Sequence, residues 1–222
     1  MDRKRFLIIT GGNEGASTAL MLRADLVLNY GSLENAPSIV RYLALNTDGF
    51  SDAEYPEDIQ FKDPEKIFID VAEIQNLISD PTNFGHLTED LLEEAVVAEH
   101  TTRGAGRMPS QGELGIRYHL SEFSKRLDLV LQQLFDPQVF PEEGEICVVI
   151  ITSGCTGTGR GIHLEVAIET KRKLLQSGRR HRIISYILSP EGLSPDDLTE
   201  KEKVFYAHLK ELNANDLFFV QC

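Results

Sequence analysis

The sequence predicts an α/β fold, a Rossmann-like three-layer sandwich around a mostly parallel six-stranded sheet. Short apolar runs alternate with longer helical patterns along nearly the whole chain, as in a parallel sheet that is covered by helices on both faces. The most apolar run, residues 146–151, has no polar face, which is typical of a central parallel strand. No tract of the 222 residues resembles a domain linker, so we expect a single domain, 1–222.

Six short apolar runs supply the expected strands. The first, residues 6–10, leads directly into Gly11 and Gly12, and the second, 42–46, ends in the tripeptide Asn46-Thr47-Asp48. The other four lie at 67–71, 146–151, 182–188 and 216–222. Short apolar runs bounded by turn residues are typical of strands that are buried in a sheet.

Helical patterns lie between these runs. The segment 113–135 has apolar residues at helical spacing, among them Leu127, Leu131 and Leu134. The segment 162–176 closes at Gly178, and the cationic tripeptide 171–173 lies near its end, where the helix dipole favours positive charge. Further helices are expected at 17–28, 88–98 and 197–212.

Composition excludes several classes of protein. The net charge of −13 and the sequence pI of about 4.9 argue against a nucleic-acid partner, since phosphate contacts need a surplus of lysine and arginine. Three cysteines without a C-x-x-C pair predict neither a zinc site nor a disulfide framework. The first apolar run is too short for a signal peptide, and no run is long enough for a membrane span. We therefore expect a cytoplasmic protein.

Three glycine-rich loops, at residues 10–16, 104–112 and 153–161, form the candidate ligand site. Ligands of open α/β sheets bind outside the carboxyl ends of the strands. Glycine lets successive N–H groups converge on an anion, and a helix that follows the loop adds its positive end. The loops therefore indicate a nucleotide phosphate chain, although a glycine turn that serves only packing has the same composition.

No single loop identifies the ligand. The Gly11-Gly12-x-x-Gly15 turn lies between a strand and a helix but does not match the dinucleotide fingerprint. The loop 154–161 is close to a Walker P-loop, yet Arg160 stands where the phosphate lysine belongs and Gly161 where the magnesium hydroxyl belongs. The Walker motif is therefore rejected, whereas the dinucleotide fingerprint is only incompletely matched.

The combination of motifs resembles the nucleotide-binding domain of the tubulin/FtsZ superfamily over nearly the whole chain. The signature G-G-G-T-G-[ST]-G of that family reads Ser-Gly-Cys-Thr-Gly-Thr-Gly at 153–159, and Asn-Thr-Asp at 46–48 and Gly-Ala-Gly-x-x-Pro at 104–109 also match. Serine and cysteine at positions 153 and 155 depart from the signature, which points to a divergent bacterial tubulin-like protein. The resemblance implies a GTP/GDP-binding domain of a cytoskeletal GTPase, with Mg²⁺ as a possible companion.

The resemblance also implies a role for particular residues. Four residues would lie along the α- and β-phosphates: Gly11, Gly12, Asn13 and Gly15. Three would close around the γ-phosphate: Gly104, Ala105 and Gly106. Either Arg107 or Arg103 would add a charge-assisted hydrogen bond to that phosphate, unless both are solvated loop residues. Five would form the main phosphate cradle: Gly154, Thr156, Gly157, Thr158 and Gly159. Asn46 and Asp48 would lie beside the nucleotide, with Asp48 at the metal. Glu191 lies in a segment that would contact the ribose, although a surface turn has the same composition.

The family continues beyond this point into a core helix with guanine contacts and a second domain with an acidic catalytic loop. That loop completes hydrolysis in the neighbouring subunit of a filament. We therefore expect a truncated GTP-binding domain that binds GTP or GDP but hardly hydrolyses it, with no catalytic residue of its own and with self-assembly left to the full-length protein. Two alternatives remain open: a tubulin-like interaction module with a degenerate nucleotide site, and an NAD-binding Rossmann oxidoreductase.

Overall fold

The computed structural model describes residues 4–70, 105, 109–136, 144–189, 210 and 219–221. Six strands form one sheet: β1 (Arg5–Gly11), β2 (Ile39–Asn46), β3 (Lys66–Phe68), β4 (Ile146–Ser153), β5 (His181–Leu188) and β6 (Phe219–Gln221). Their order is β3-β2-β1-β4-β5-β6, and every neighbouring pair is parallel. The expected parallel α/β sheet is therefore confirmed.

Within the part of the chain that the structure describes, three long helices cover the sheet: α1 (Gly12–Tyr30), α2 (Pro109–Phe135) and α3 (Gly157–Ser177). α1 packs on one face, where Ala19 and Leu20 meet Ile8 and Tyr42 of the strands. α2 and α3 pack together on the other face in a separate core cluster. The two clusters are the two interfaces of a three-layer sandwich, as the sequence predicted.

The central strands explain why two helical layers are needed. Along β1, Leu7 and Ile9 are buried against α2 and α3, whereas Ile8 is buried against α1. Successive side chains of a strand point to opposite faces, so a strand without a polar face requires cover on both sides. β1 is paired with β2 on one edge and β4 on the other, which places it at the centre of the fold.

The helix starts differ from the sequence prediction. α1 begins at Gly12 and not near residue 17, and α3 begins at Gly157 and not near residue 162. Glycine is a poor helix former, so the glycine-rich segments read as loops. Close packing overrides this propensity: a Cβ on Gly15 would collide with the carbonyl oxygen of Ile151, and one on Gly161 would lie 2.7 Å from the Glu113 nitrogen.

The third strand ends at Phe68, short of the predicted 67–71. Beyond it, the N–H of Ile69 still donates to the carbonyl of Asn46 (2.9 Å), but the N–H of Asp70 donates to Nε2 of His119 on α2 (3.2 Å). The chain therefore leaves the strand ladder and turns toward α2. The helix expected at 88–98, and the one at 197–212 apart from Lys210, lie outside the described residues.

α3 ends at Gly178, as the sequence predicted. Gly178 has a φ of 65°, in the left-handed region, and its N–H donates to the carbonyl of Leu175 (3.2 Å). Among the residues that the structure describes, no helix is long and apolar enough to cross a membrane.

Candidate functional site

The candidate site lies at the carboxyl end of the sheet, between β1 and β4. β1 leads into α1 on one face of the sheet, whereas β4 leads into α3 on the other face. The strand order therefore reverses direction between these two strands. In open α/β sheets such a switch point opens a crevice between neighbouring loops, and ligands bind there.

The first component is the N-terminus of α1. β1 passes directly into the helix because Gly12 adopts a φ of 76°, which residues with a side chain rarely adopt. Gly11, the N-cap residue, makes no side-chain capping hydrogen bond. The first N–H groups of a helix have no acceptor within it, so this turn presents donors and the positive end of the helix dipole.

The second component is the N-terminus of α3. The Oγ1 of Thr156, the N-cap residue, accepts a hydrogen bond from the N–H of Gly159 (3.1 Å). The preceding N–H groups, of Gly157 and Thr158, have no acceptor within the helix. A Cβ built on Gly12 would lie 3.5 Å from the Gly159 nitrogen and 3.6 Å from Thr158 Cβ. The two helix N-termini therefore converge at one place, and the missing side chain of Gly12 leaves space between them.

The end of β2 is tied to the first turn of α1. Asn46 is fully buried, and its Nδ2 donates to Oδ1 of Asn13 (2.6 Å) and to the carbonyl of Gly49. Its Oδ1 accepts from the N–H of Thr47 (2.9 Å) and, at 3.4 Å, from that of Asp48. The structure thus brings Asn13 and Asn46 together, and Asn46 shapes the turn that leads to Asp48.

Asp48 is an exposed carboxylate at the rim of the crevice. Among the described residues, no group of three or more histidine, cysteine, aspartate or glutamate side chains could hold a metal ion. Mg²⁺ is commonly bound through one or two carboxylates together with substrate phosphates. A single carboxylate beside an anion site therefore fits a metal that a phosphate chain brings with it.

Several of the predicted site glycines contact the protein itself. A Cβ on Gly11 would lie 2.6 Å from Ile162 Cδ1, and one on Gly159 would lie 2.6 Å from the carbonyl oxygen of Ser153. The N–H of Gly154 donates to the carbonyl of Leu188 on β5 (3.2 Å). A side chain on Gly11 or Gly159 would force its neighbours to move, because the loops and helices pack closely there.

Thr47 lies inside the Asn-Thr-Asp motif at 46–48, but the sequence predicted no role for it. Its Oγ1 lies 2.6 Å from Oγ1 of Thr158 and accepts a hydrogen bond from the N–H of Ala105 (3.1 Å). One hydroxyl thus joins the end of β2, the start of α3 and the segment around residue 105. Its position between two predicted site residues, Asn46 and Asp48, was the available signal.

His163 is a second unpredicted feature. It is fully buried on α3, with Nδ1 2.9 Å from Oγ1 of Thr152 on β4 and Nε2 2.9 Å from Oγ of Ser185 on β5. The Sγ of Cys155 lies 3.3 Å from Oγ of Ser153.

Four predicted site residues lie outside the described residues: Gly104, Gly106, Arg107 and Glu191. Ala105, between the first two, is described and buried.

Comparison with known proteins gives one family and several structures. The family model described as "Tubulin like" matches residues 7–219. TubZ of Bacillus thuringiensis serovar israelensis, solved as a GTPγS-form protofilament, aligns with a TM-score of 0.53 at 15% identity over 95% of this chain and 42% of that protein. CetZ of Methanosaeta thermophila aligns with a TM-score of 0.51 at 13% identity over 98% of this chain and 46% of that one. At these identities the likeness is one of fold, and this chain spans less than half of either protein. No curated protein matches the sequence.

Proposed function

The chain belongs to the tubulin-like family, and from this premise we propose that it binds GTP and GDP as the nucleotide-binding domain of a cytoskeletal GTPase. The observation that carries the proposal is the convergence of the α1 and α3 N-termini at the switch point between β1 and β4. Backbone N–H groups at a helix N-terminus favour phosphate, and here two such ends face one space. The family membership favours this reading over an NAD-dependent oxidoreductase.

Backbone N–H groups supply the attraction for an anion that the negative net charge of the protein does not supply. A protein of charge −13 repels a free nucleotide at long range, so binding must come from local donors. In our proposal the first turns of α1 and α3 hold the α- and β-phosphates, with Gly12 leaving room for their oxygens. Glu14, in the first turn of α1, adds negative charge at the same place. Mg²⁺ held beside the phosphates by Asp48 would offset that charge.

The remaining assignments rest on the family resemblance. Gly104, Gly106 and Arg107 would contact the third phosphate, and Glu191 the ribose. When bound, Mg²⁺ would neutralise phosphate charge. Tight binding of the substrate phosphates does not by itself raise the rate of hydrolysis. We therefore propose that the residues of this chain bind nucleotide with negligible turnover. Hydrolysis and filament assembly in the cytoplasm are proposed for the whole protein.

Titration calorimetry with GTP, GDP and ATP tests the proposal, with Asn13→Asp as the diagnostic variant. The substitution keeps the oxygen that accepts from Asn46, and an acidic residue in the first turn stabilises a helix. It also places a charge beside the proposed phosphates. Two unit charges about 4 Å apart repel by about 4 kcal/mol at an effective dielectric constant of about 20, so we expect GTP affinity to fall at least about tenfold.

The matched control is Asn29→Asp, the same change at the other end of α1. It should leave GTP affinity unchanged. If the parent chain binds neither nucleotide, the tubulin-like interaction module with a degenerate site is the better reading. Equal losses in Asn13→Asp and Asn29→Asp would place the nucleotide elsewhere on the molecule.

A further inference from the structure

The last turns of α3 and the start of β5 carry a concentration of positive charge. Six of the 22 lysines and arginines of the chain lie within residues 171–182, and this segment contains no aspartate or glutamate. We call these six residues the cationic surface: Lys171, Arg172, Lys173, Arg179, Arg180 and Arg182. In a protein with a net charge of −13, this surface is a local exception to the acidic composition.

Carboxylates of the protein neutralise only part of the cationic surface. Three of its cations have acidic partners, in the pairs Arg172–Glu169, Lys173–Asp128 and Arg182–Glu145. The last pair is 3.5 Å long and its two side chains are largely exposed, so it contributes little. Among the described residues, Lys171 and Arg180 have no carboxylate within salt-bridge distance, and Arg180 is exposed. The surface therefore keeps positive charge that a partner can use.

The helix dipole explains the first half of the cationic surface but not the second. Positive charge in the last turns of a helix is stabilising, which accounts for residues 171–173. α3 ends at Ser177, however, and Arg179, Arg180 and Arg182 lie beyond it, in the turn and in β5. The dipole gives no reason for cations there. Arginine guanidinium groups bind phosphate through two hydrogen bonds at once, so these positions suit a partner that carries phosphate groups.

Exposed aliphatic side chains accompany the cations. Leu175 is 61% exposed, and Ile168, seven positions earlier, is 43% exposed. Residues three, four and seven positions apart lie on the same side of a helix, so Arg172 lies between these two on the outer side of α3. Cations beside aliphatic side chains are typical of helices that lie in the interface of a membrane. A nucleic acid would use the cations but would leave the aliphatic groups without a contact.

The cationic surface lies at the end of α3 that is opposite the candidate site. α3 has 21 residues and is therefore about 31 Å long, whereas salt screens charges over about 8 Å under physiological conditions. The acidic residues within 48–58 follow β2, whose carboxyl end borders the candidate site. An anionic partner at the far end of α3 is therefore screened from this part of the negative charge.

From these observations we propose that the cationic surface, together with Leu175 and Ile168, binds the surface of an anionic phospholipid bilayer. The arginines donate hydrogen bonds to lipid phosphates, and the two aliphatic side chains enter the boundary between head groups and acyl chains. The candidate nucleotide site then faces away from the membrane. None of these residues belongs to that site, so this proposal and the proposed function stand or fall separately.

Cosedimentation of the full chain with lipid vesicles tests the charge contribution. We expect binding to vesicles of phosphatidylcholine and anionic phosphatidylglycerol, and none to pure phosphatidylcholine at the same salt concentration. A cation near an anionic membrane contributes about fivefold in affinity, so Arg180→Gln should weaken binding about fivefold and Lys171→Gln/Arg180→Gln about twenty-five-fold. The matched control is Lys62→Gln. Lys62 is exposed and lies just before β3, which three strands separate from β5, so its replacement should leave vesicle binding unchanged.

Leu175→Ser tests the apolar contribution. The change keeps every charge and removes aliphatic groups, so binding should weaken at least about fourfold, the effect of one CH₂ group. The dependence of binding on salt should stay as in the parent. Leu28→Ser is the control, because Leu28 is 83% exposed on α1, which covers the other face of the sheet. It should not alter vesicle binding. Both leucines are exposed, so neither change removes a core contact.

Several outcomes would overturn the inference. One is equal binding to neutral and anionic vesicles, or binding to neither. Another is a loss in Lys62→Gln or Leu28→Ser as large as in the matched variant of the cationic surface. If duplex DNA or polyglutamate binds more tightly than the anionic vesicles, and Leu175→Ser leaves that binding unchanged, the surface serves a nucleic acid or an acidic protein segment and not a membrane.

Discussion

Replacement of His163 tests how the base of the candidate site is held together. His163 bridges Thr152, the residue before the last of β4, and Ser185 of β5, and all three side chains are buried. The Thr152 side chain also borders the N-cap of α1, since a Cβ on Gly11 would lie 2.9 Å from its Cγ2. The variant His163→Leu replaces the imidazole ring by an apolar side chain of moderate size and so removes both ring nitrogens.

The expected loss follows from the two hydroxyls that are left behind. Each buried polar group without a partner costs about 1–3 kcal/mol, so His163→Leu should lose about 2–6 kcal/mol of unfolding free energy. Domains are stable by only about 5–15 kcal/mol, which makes this a large fraction. His163→Gln, with one amide group in place of two ring nitrogens, should lose roughly half as much. In the triple variant His163→Leu/Thr152→Val/Ser185→Ala, no unpaired hydroxyl remains, and most of the stability should return.

Urea unfolding followed by circular dichroism measures these differences as changes in the midpoint at constant m-value. The asymmetry between the single and triple variants is the decisive result, because replacing every partner by an apolar group can be nearly neutral. If His163→Leu costs less than about 1 kcal/mol, or the triple variant is as unstable as the single one, the hydrogen bonds do not hold this region together.

Two further predictions concern the helices on the same face. Gly161→Ala should lower the free energy of unfolding by about 1–3 kcal/mol, and the melting temperature with it, because the new Cβ would collide with the Pro109 carbonyl oxygen. Gly144→Ala is the control: its Cβ would have no neighbour closer than 3.9 Å, so the melting temperature should not fall. Hydrogen bonds from Arg172 hold the pKa of Glu169 below its ordinary value, so this pair stabilises the fold above about pH 4.3, and the stability is lost as pH falls through the folded pKa. Glu169→Gln should therefore have a lower free energy of unfolding than the parent at pH 7 and lose less of it on acidification to pH 3. Urea unfolding at several pH values measures this, and an equal loss in both proteins between pH 7 and pH 3 would contradict it.

Apolar patterning predicted the fold well because strands without a polar face can be buried in only one way. A run such as residues 146–151, apolar on both faces, must lie inside a sheet with helices on either side, and β4 does. The helix starts were not predictable from propensity. Whether Gly15 or Gly161 belongs to a loop or a helix depends on the backbone that packs against it, and that backbone comes from another segment of the chain.

The same limit applies to the candidate site. Two of the glycine-rich loops lie at the N-termini of α1 and α3, since the strand that precedes each loop fixes where the loop emerges. That these loops bind a ligand stays a prediction. The contributions of Thr47 and His163 were hidden because each depends on partners in other elements: Thr158 lies 111 positions from Thr47, and Ser185 lies 22 positions from His163. A single sequence contains no local pattern that pairs such residues.

The glycines also connect packing with binding. In an acidic protein with Glu14 at the mouth of the crevice, an anion must be held mainly by backbone N–H groups. Those donors converge only because α1 lies close against Ile151 and the start of α3 lies close against Ser153, and the contacts of Gly15 and Gly159 make both approaches possible. A glycine that packs against the protein therefore also shapes the proposed phosphate site, since it sets where the neighbouring N–H groups lie. For these loops, close packing and the proposed phosphate binding therefore both require glycine at the same positions.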